Sequence, residues 1–459
     1  MVTHSERPVL AEMRDALGLT GAPVLEGEGF LRSALPVSAL ATDALASVAL
    51  ALGELTSELG FADADRIRVD RAACDAWFGL QVRPVGWKAP SPWDPLSAAF
   101  ATRDGSWIRT HANAPRHRRA LLEVLGGDAE PDAVARAVRG WDAVELETAI
   151  IERGGAAAAL RSAAEWAASP PGAAVAAEPL VAHEDGDPWD GATGWAPTPE
   201  RPLAGIRVLD LTRVIAGPAC TQLLAGLGAD VLRIDPPDWD EPAVLPYVMW
   251  NKRSARLDAR SPEGAERLRE LLRGADVLVH GYRAGALDRL GLPEVECRRL
   301  RPGLVAVSER AYGWSGPWAE RRGFDSLVQF ATGIAHTGMV AGGGAQPVSL
   351  PVQALDWATG YLAAASALAG LARRSEQRVG SSWRLSLART AQTLLRLPVP
   401  DAATDAAGRG PTDLPAGVYA TASGDMALMT SPISVGTTSL SYDRLTTSLG
   451  GDEPAWPDV

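Results

Sequence analysis

A carboxylate, a strand-to-helix turn rich in backbone N–H groups and a set of arginines are the parts of this sequence that could do chemistry. The carboxylate is Asp356. Residues 350–358 read LPVQALDWA and residues 35–43 read LPVSALATD, so aligning the shared Leu-Pro-Val sets Asp356 opposite Ala41. Both stretches run on into Ala- and Leu-rich segments that read as helices. A structural role would ask for the same residue in both copies, so the difference points to chemistry at Asp356. A first helical turn favours a negative side chain. The competing structural role for the acid is a helix N-cap.

The turn TRVIAGPACTQLL (212–224) carries the chain from a strand end into a helix. Gly217 and Pro218 let the backbone present N–H groups at the helix start, which suits a phosphate or another anion. No GxGxxG is present, so a dinucleotide fingerprint is not supported. Arg260, Arg283, Arg289 and Arg322 all fall near predicted strand ends or the loops after them, where open α/β sheets bind ligands. Four such arginines can balance phosphates, although a solvated surface charge is the common role of any single one. His111 and His117, in THANAPRHRR, read as a polar surface loop, with a substrate-facing surface as the alternative. The run AGGGAQP before Asp356 reads as a mobile loop or a plain turn.

These residues sit in a chain of 459, with 46% hydrophobic and 22% charged residues, which fits a globular protein of two or three domains. No segment approaches 18 uncharged apolar residues, so no transmembrane helix is expected. The start, MVTHSERPVLAEMRD, does not read as a secretory signal. Cys74, Cys220 and Cys297 are scattered and odd in number, which argues for a reducing cytoplasm rather than a disulfide framework. No Cys/His cluster has zinc-like spacing, so no metal is expected. A net charge of −12 disfavours nonspecific nucleic-acid or membrane binding. Lysine occurs only at Lys88 and Lys252, a bias that GC-rich codons explain.

The elements that must position Asp356 follow a regular alternation. The stretch 168–204 is rich in Pro, Gly and acid and reads as a linker, which sets a boundary near residue 200. After it come strand-like IRVLDL (206–211), helical GPACTQLLAGLGA (217–229), strand-like DVLRID (230–235) and helical SPEGAERLRELLRGA (261–275). The last of these opens on a Ser261 cap and Pro262. DVLVHGY (276–282) and LVAVSE (304–309) are further short apolar runs. The pattern predicts a parallel, doubly wound sheet. The echo extends further: Thr20-Gly21 and Thr337-Gly338 precede the two Leu-Pro-Val copies, and FATRDGSWIRT (100–110) faces YATASGDMALMT (419–430). Residues 1–199 thus read as a degenerate half-copy, 200–400 as the main α/β unit with Asp356, and 401–459 as an extension echoing the small domain.

Five motifs occur in order: PLAGIRVLDLTRVIAGPACTQLLAGLGADVLRID, NKRSARLDARSPEG, GADVLVHGYRAGALDRLGL, GPWAERRGFDSLVQFATG and LPVQALDWATGYLAA. Through them, Pro202 to about Leu371 resembles the family III CoA-transferases of CaiB/BaiF type. The resemblance implies a Rossmann-like doubly wound parallel sheet with a smaller α+β domain. It puts the catalytic aspartate at Asp356, attacking the thioester of an acyl-CoA to form a mixed anhydride and then an enzyme–CoA thioester, which an acceptor acid reverses. It aligns CoA contacts with Ile215, Ala216, Leu257, Asp258, Arg260, Gly281, Tyr282, Arg283, Arg289 and Arg322. It implies acyl-CoA and a carboxylic acid as substrates, no permanently bound cofactor, and the interlocked homodimer common in the family as one available assembly.

Two departures stand out. After the second strand the family usually shows an acid, then Pro and Gly-Asp before a basic residue, whereas here the run is IDPPDWDEP, with Pro236 at a place a CoA-contacting arginine can take, and His280-Gly281-Tyr282 replaces a frequent Asn-Phe. Racemases and epimerases of the same fold are the nearest rival, using a histidine in a GHD motif. Here the motif is GFD, with Phe324 in that place, and phenylalanine carries no proton. His280 or His336 would have to substitute. A CoA-binding protein without catalysis is the rival from another class.

Overall fold

The computed structural model describes residues 7–61, 66–89, 91–191, 194–283, 285–398, 415–421, 424–445 and 448–457. Its centre is a seven-stranded sheet of β1 (Ala182–Pro188), β2 (Arg207–Leu211), β3 (Asp230–Asp235), β4 (Lys252–Arg256), β5 (Val277–His280), β6 (Val305–Arg310) and β7 (Val379–Ser386). The strand order is β4-β3-β2-β5-β6-β7-β1. All neighbours are parallel except β1, which runs antiparallel to β7 at the edge. The order reverses between β2 and β5, so the crevice of a doubly wound sheet opens beyond their carboxyl ends.

Strand residues alternate between two cores, which is why these strands read as continuous apolar runs. Val208, Val231, Val277 and Val305 join one core. Leu209, Leu232 and Leu278 join a second core on the opposite face. Six of the helices build these cores and the site: α1 (Val37–Glu58), α2 (Pro115–Leu125), α3 (Ala216–Gly226), α4 (Pro262–Arg273), α5 (Asp325–Thr332) and α6 (Ala354–Gln377). Helix α4 starts as expected, with Ser261 accepting the Gly264 N–H at 3.0 Å and Pro262 in the first turn. It covers the second core through Leu268, Leu271 and Leu272.

Helix α6 lies against α3, β6 and β7, in the first core. Small residues permit this approach. A Cβ at Gly360 would stand 2.2 Å from the Ala216 carbonyl oxygen, and one at Gly370 would stand 2.6 Å from Val305 Cγ1. The two helices that follow the Leu-Pro-Val copies, α1 and α6, pack directly on each other. Contrary to the sequence expectation, α1 is long and apolar enough to cross a membrane. It is instead buried within the fold, with Leu40, Leu45, Leu52 and Leu55 fully covered. Each such leucine contributes about 1.5–3 kcal/mol.

The stretch 168–204 is not a bare linker: it holds a helix, Pro170–Ala176, and β1. Strand 67–70 pairs with 433–435, and 82–84 pairs with 426–429, so the chain's two ends share sheets. The echoing segments each form an antiparallel hairpin, 99–101 with 107–110 and 415–419 with 426–429. The boundary placed after residue 400 falls outside the described residues.

Candidate active site

A cavity of about 290 Å³ opens at the carboxyl ends of β2, β5 and β6, where the strand order reverses. The turn after β2 is anchored from below. Asp210 accepts from Thr212 N and Oγ1 at 2.9 and 2.5 Å, and its other oxygen accepts from Thr221 Oγ1 and from Lys252 Nζ at 3.1 Å. Lys252, fully buried on β4, also donates to the Pro218 carbonyl at 2.8 Å. Burial pushes its ammonium down to about 8 against the pull of Asp210. This pair ties β2, β4 and the start of α3 together. Above it Val214 takes φ 69°, a strained setting for a β-branched residue. Its N–H donates to Glu241 at 3.1 Å, and Glu241 accepts from Arg233 at 2.5 Å.

Asp356 lies in the first turn of α6, 7% exposed, and lines this cavity. It does not cap its helix. The Leu355 and Asp356 N–H groups donate to Asp325 Oδ2 at 2.8 and 2.9 Å. Asp325 Oδ1 accepts from Gln329 Nε2, and Gln329 Oε1 accepts from Leu350 N at 2.8 Å. Asp325, on α5, therefore performs the capping from outside. The Asp356 carboxylate itself receives no hydrogen bond from the described residues. Burial, then the Asp325 and Glu309 charges, push its carboxyl well above the usual range. Burial also pushes Asp325 up to about 6, opposed by its donors.

The N-terminal part of the chain builds one wall. Arg116 and His117, at the start of α2, line the cavity beside Phe324. His111 stacks on Phe324 with centroids 3.7 Å apart, and His117 meets the same ring edge-on at 5.6 Å. Both histidines are buried, at 7% and 1% exposure, which overturns the expectation of a polar surface loop. Burial, helped by neighbouring cations, pushes His111 down to about 3 and His117 down to about 4, so both are neutral rings. Neither His280 nor His336 reaches the cavity wall. Arg283 and Arg322 stand near Arg116, and burial followed by this mutual repulsion lowers the Arg116 and Arg322 guanidinium groups. Arg213 lies over the Trp239 and Tyr282 rings at 5.0 and 5.6 Å.

The CoA-transferase family III model matches residues 203–435, just over half of the 459. The chain belongs to CoA-transferase family III. Acetyl-coenzyme A transferase nodX of Hypoxylon pulicicidum is 32% identical over 317 residues, 64% of this chain and 52% of the relative. Succinyl-CoA:glutarate CoA-transferase of Mus musculus is 35% identical over 188 residues, 38% of this chain and 42% of the relative. The crystal structure of Rv3272 from M. tuberculosis is 31% identical, with TM-score 0.41 over 43% of this chain and 58% of that one. The chain spans about half the length of the curated relatives it matches first.

In this family III chain the cavity gathers Asp356, Ile215, Ala216, Gly281, Tyr282, Arg283 and Arg322 from the residues singled out in the sequence. Leu257, Asp258, Arg260 and Arg289 do not line it. Asp258 and Arg260 follow β4 and pair with each other at 2.9 Å on the surface. Arg289 ends the short helix Ala286–Arg289. Near Pro236, where a contacting arginine was missing, Arg256 donates to the carbonyls of Pro236, Pro237 and Trp239. Arg116 and Glu309 line the cavity and Asp325 holds the start of the Asp356 helix, and sequence reasoning assigned them no role. Glu309 had a legible signal, since it ends a predicted strand on the edge where ligands bind. Arg116 had none, because nothing local shows that the α2 start folds over β2 and β5.

Proposed function

We propose that the protein moves CoA between an acyl-CoA and a carboxylic acid, with Asp356 as the nucleophile. The observation that carries this is the state of Asp356: a buried carboxylate facing a cavity, relieved of capping by Asp325 and given no side-chain donor among the described residues. Such a group is costly unless a substrate uses it. An Asp356 oxygen attacks the thioester carbonyl, and CoA thiolate leaves as a mixed anhydride forms. The thiolate then attacks the aspartyl carbonyl, freeing the first acid and leaving an aspartyl–CoA thioester. The acceptor acid runs the same steps in reverse, and the thioester bond energy is kept throughout. A raised carboxyl makes the ionised form a stronger nucleophile, at the cost of a smaller ionised fraction at a given pH.

Ile215, Ala216, Gly281, Tyr282, Arg283 and Arg322 are assigned to the part of CoA nearest the thioester. Leu257, Asp258, Arg260 and Arg289, at neighbouring strand ends outside the cavity, are assigned to its nucleotide end. Phe324 itself carries no proton, which favours transfer over racemisation; a racemase would have to use His117, which lines the cavity beside it. Isotope exchange tests the reading. Labelled free acid should enter acyl-CoA with the wild-type protein and not with Asp356→Asn. Deuterium wash-in at the α-carbon without an acceptor acid would replace transfer by racemisation, and CoA binding without exchange would leave a binding protein.

A further inference from the structure

Six arginines line the cavity that holds Asp356, and they are not equally satisfied. Arg213 pairs with Asp235 at 3.4 Å, and Arg321 pairs with Glu147 at 2.8 Å. Arg310 lies over the Trp314 ring at 4.1 Å. Arg116, Arg283 and Arg322 form no ion pair among the described residues. They come from three places: the start of α2, the loop after β5 and the segment before α5. Asp238 acts on Arg116 without pairing with it.

The N-terminal part of the chain brings these cations together. His117 meets the Phe324 ring edge-on with centroids 5.6 Å apart, so Arg116, just before His117, comes beside Arg322, just before Gly323 and Phe324. Arg116 Nε donates to His117 Nε2 at 3.2 Å, and Arg322 Nη1 donates to the Gly154 carbonyl at 2.8 Å. These bonds hold both guanidinium groups and leave further N–H donors on each without a partner among the described residues. Arg116 and Arg283 are exposed and Arg322 is half-buried, so a ligand can reach them. After burial, the Arg283 and Arg116 charges are what lowers the Arg322 guanidinium. Like charges gathered in a cleft attract an anion that neutralises them.

The charges acting on the Asp356 carboxyl are those of Asp325 and Glu309, and no arginine is among them. The three cations therefore share the cavity with the nucleophile but stand away from it. A thioester is neutral, and so is the pantetheine arm that leads from its sulfur. The charged nucleotide end of CoA is assigned to Arg260 and Arg289, outside the cavity. A monocarboxylic acyl group thus leaves the three arginines unpaired, whereas a second carboxylate on the acyl chain can pair with them. We infer that Arg116, Arg283 and Arg322 form a subsite for the second carboxylate of a dicarboxylic acid. This rests on the transferase reading. A planar guanidinium takes a carboxylate through two parallel N–H···O bonds. Donor and acceptor acids use the same subsite, because the second half of the transfer is the first half reversed. The N-terminal half-copy sets specificity twice over, by supplying Arg116 and by holding Arg322 through the Gly154 carbonyl.

The test is acceptor choice. Wild-type protein should transfer CoA to succinate, glutarate or adipate with a higher kcat/KM than to the monocarboxylic acid of the same chain length, butanoate, pentanoate or hexanoate. Loss of one charge-assisted hydrogen bond weakens binding roughly 10–100-fold, so Arg116→Leu should cut that preference by about this factor. Arg116→Lys keeps the charge without the fork and should retain part of it. Equal kcat/KM for the paired acids in the wild type, or an unchanged preference in Arg116→Leu, would overturn the subsite. Calorimetry with free CoA tests the other source of anionic groups. An Arg116→Leu affinity for CoA like that of the wild type supports a site for the acyl group. A lower affinity, with transfer to both kinds of acid reduced alike, puts a CoA phosphate on the arginines and overturns the proposal. If Arg116→Leu does not fold, Arg116→Lys takes its place: a preference lowered from the wild-type value supports the subsite, and an unchanged one overturns it. Exchange of no labelled acid of either kind removes the transferase reading, whereas equal exchange of both kinds removes only the second-carboxylate subsite.

Discussion

Asp325 is the residue whose replacement should have two separable effects. Three donors converge on its carboxylate: Leu355 N at 2.8 Å, Asp356 N at 2.9 Å and Gln329 Nε2. Asp325→Ala strands all three in a buried site. At about 1–3 kcal/mol for each unsatisfied donor, the loss should reach roughly 3 kcal/mol or more. Asp325→Asn keeps one acceptor oxygen for the two backbone groups but turns an NH₂ toward the NH₂ of Gln329. Gln329 must then flip, and the Leu350 N–H loses its 2.8 Å partner. The cost is one hydrogen bond, about 1 kcal/mol. The second effect is electrostatic. Burial is the main reason the Asp356 carboxyl is raised, and the Asp325 charge is the next. Asp325→Asn removes that charge, so Asp356 should ionise at lower pH. A nucleophilic carboxylate gains activity as pH rises through its own ionisation, so the acid limb of the transfer rate should move to lower pH. Urea unfolding measures the first effect and a kcat/KM–pH profile the second. Asp325→Ala as stable as wild type, or an acid limb unmoved in Asp325→Asn, would refute the arrangement.

The packing sets three further outcomes. Lys252→Met leaves the buried Asp210 without its cation and should cost about 3–5 kcal/mol in denaturant unfolding, while adding Asp210→Asn should recover part of it. Gly360→Ala places a methyl 2.2 Å from the Ala216 carbonyl oxygen, so it should destabilise by about 1–3 kcal/mol and weaken acyl-CoA binding in calorimetry by displacing the start of α3. His111 and His117 are held neutral below the ordinary value of 6.5, near 3 and 4. The unfolded chain binds their protons first, so stability present above pH 6.5 should fall as pH drops toward 4. In His117→Phe a thermal melt series over that range should show a smaller fall.

Much of the sheet was legible because β2, β3 and β5 are buried on both faces and so read as apolar runs, as does the start of β6, which is buried on one face and half-buried on the other. Strand β1, AHEDGDP, was not. It is an antiparallel edge strand, largely exposed, and its acids and proline read as linker. Strands β4 and β7 carry Lys252, Arg253, Arg256 and Arg384, whose partners lie far away in sequence, so no local pattern marks them as strands. Asp356 was legible by contrast with Ala41, and its helix starts within a few residues of the expected place. The division of labour with Asp325 was not legible, since the two acids are joined only by the turn geometry that brings α5 to the start of α6. The histidines were misread because a polar sequence flanked by arginines gives no sign that its rings pack on Phe324.

The central claim is that Asp356 becomes covalently attached during turnover. The protein is incubated with acyl-CoA without acceptor, quenched with hydroxylamine, digested and analysed by mass spectrometry. An aspartyl hydroxamate on the peptide holding Asp356, absent when acyl-CoA is omitted, is the predicted result. Transfer activity with no modification at Asp356, or with the label on another residue, would contradict it.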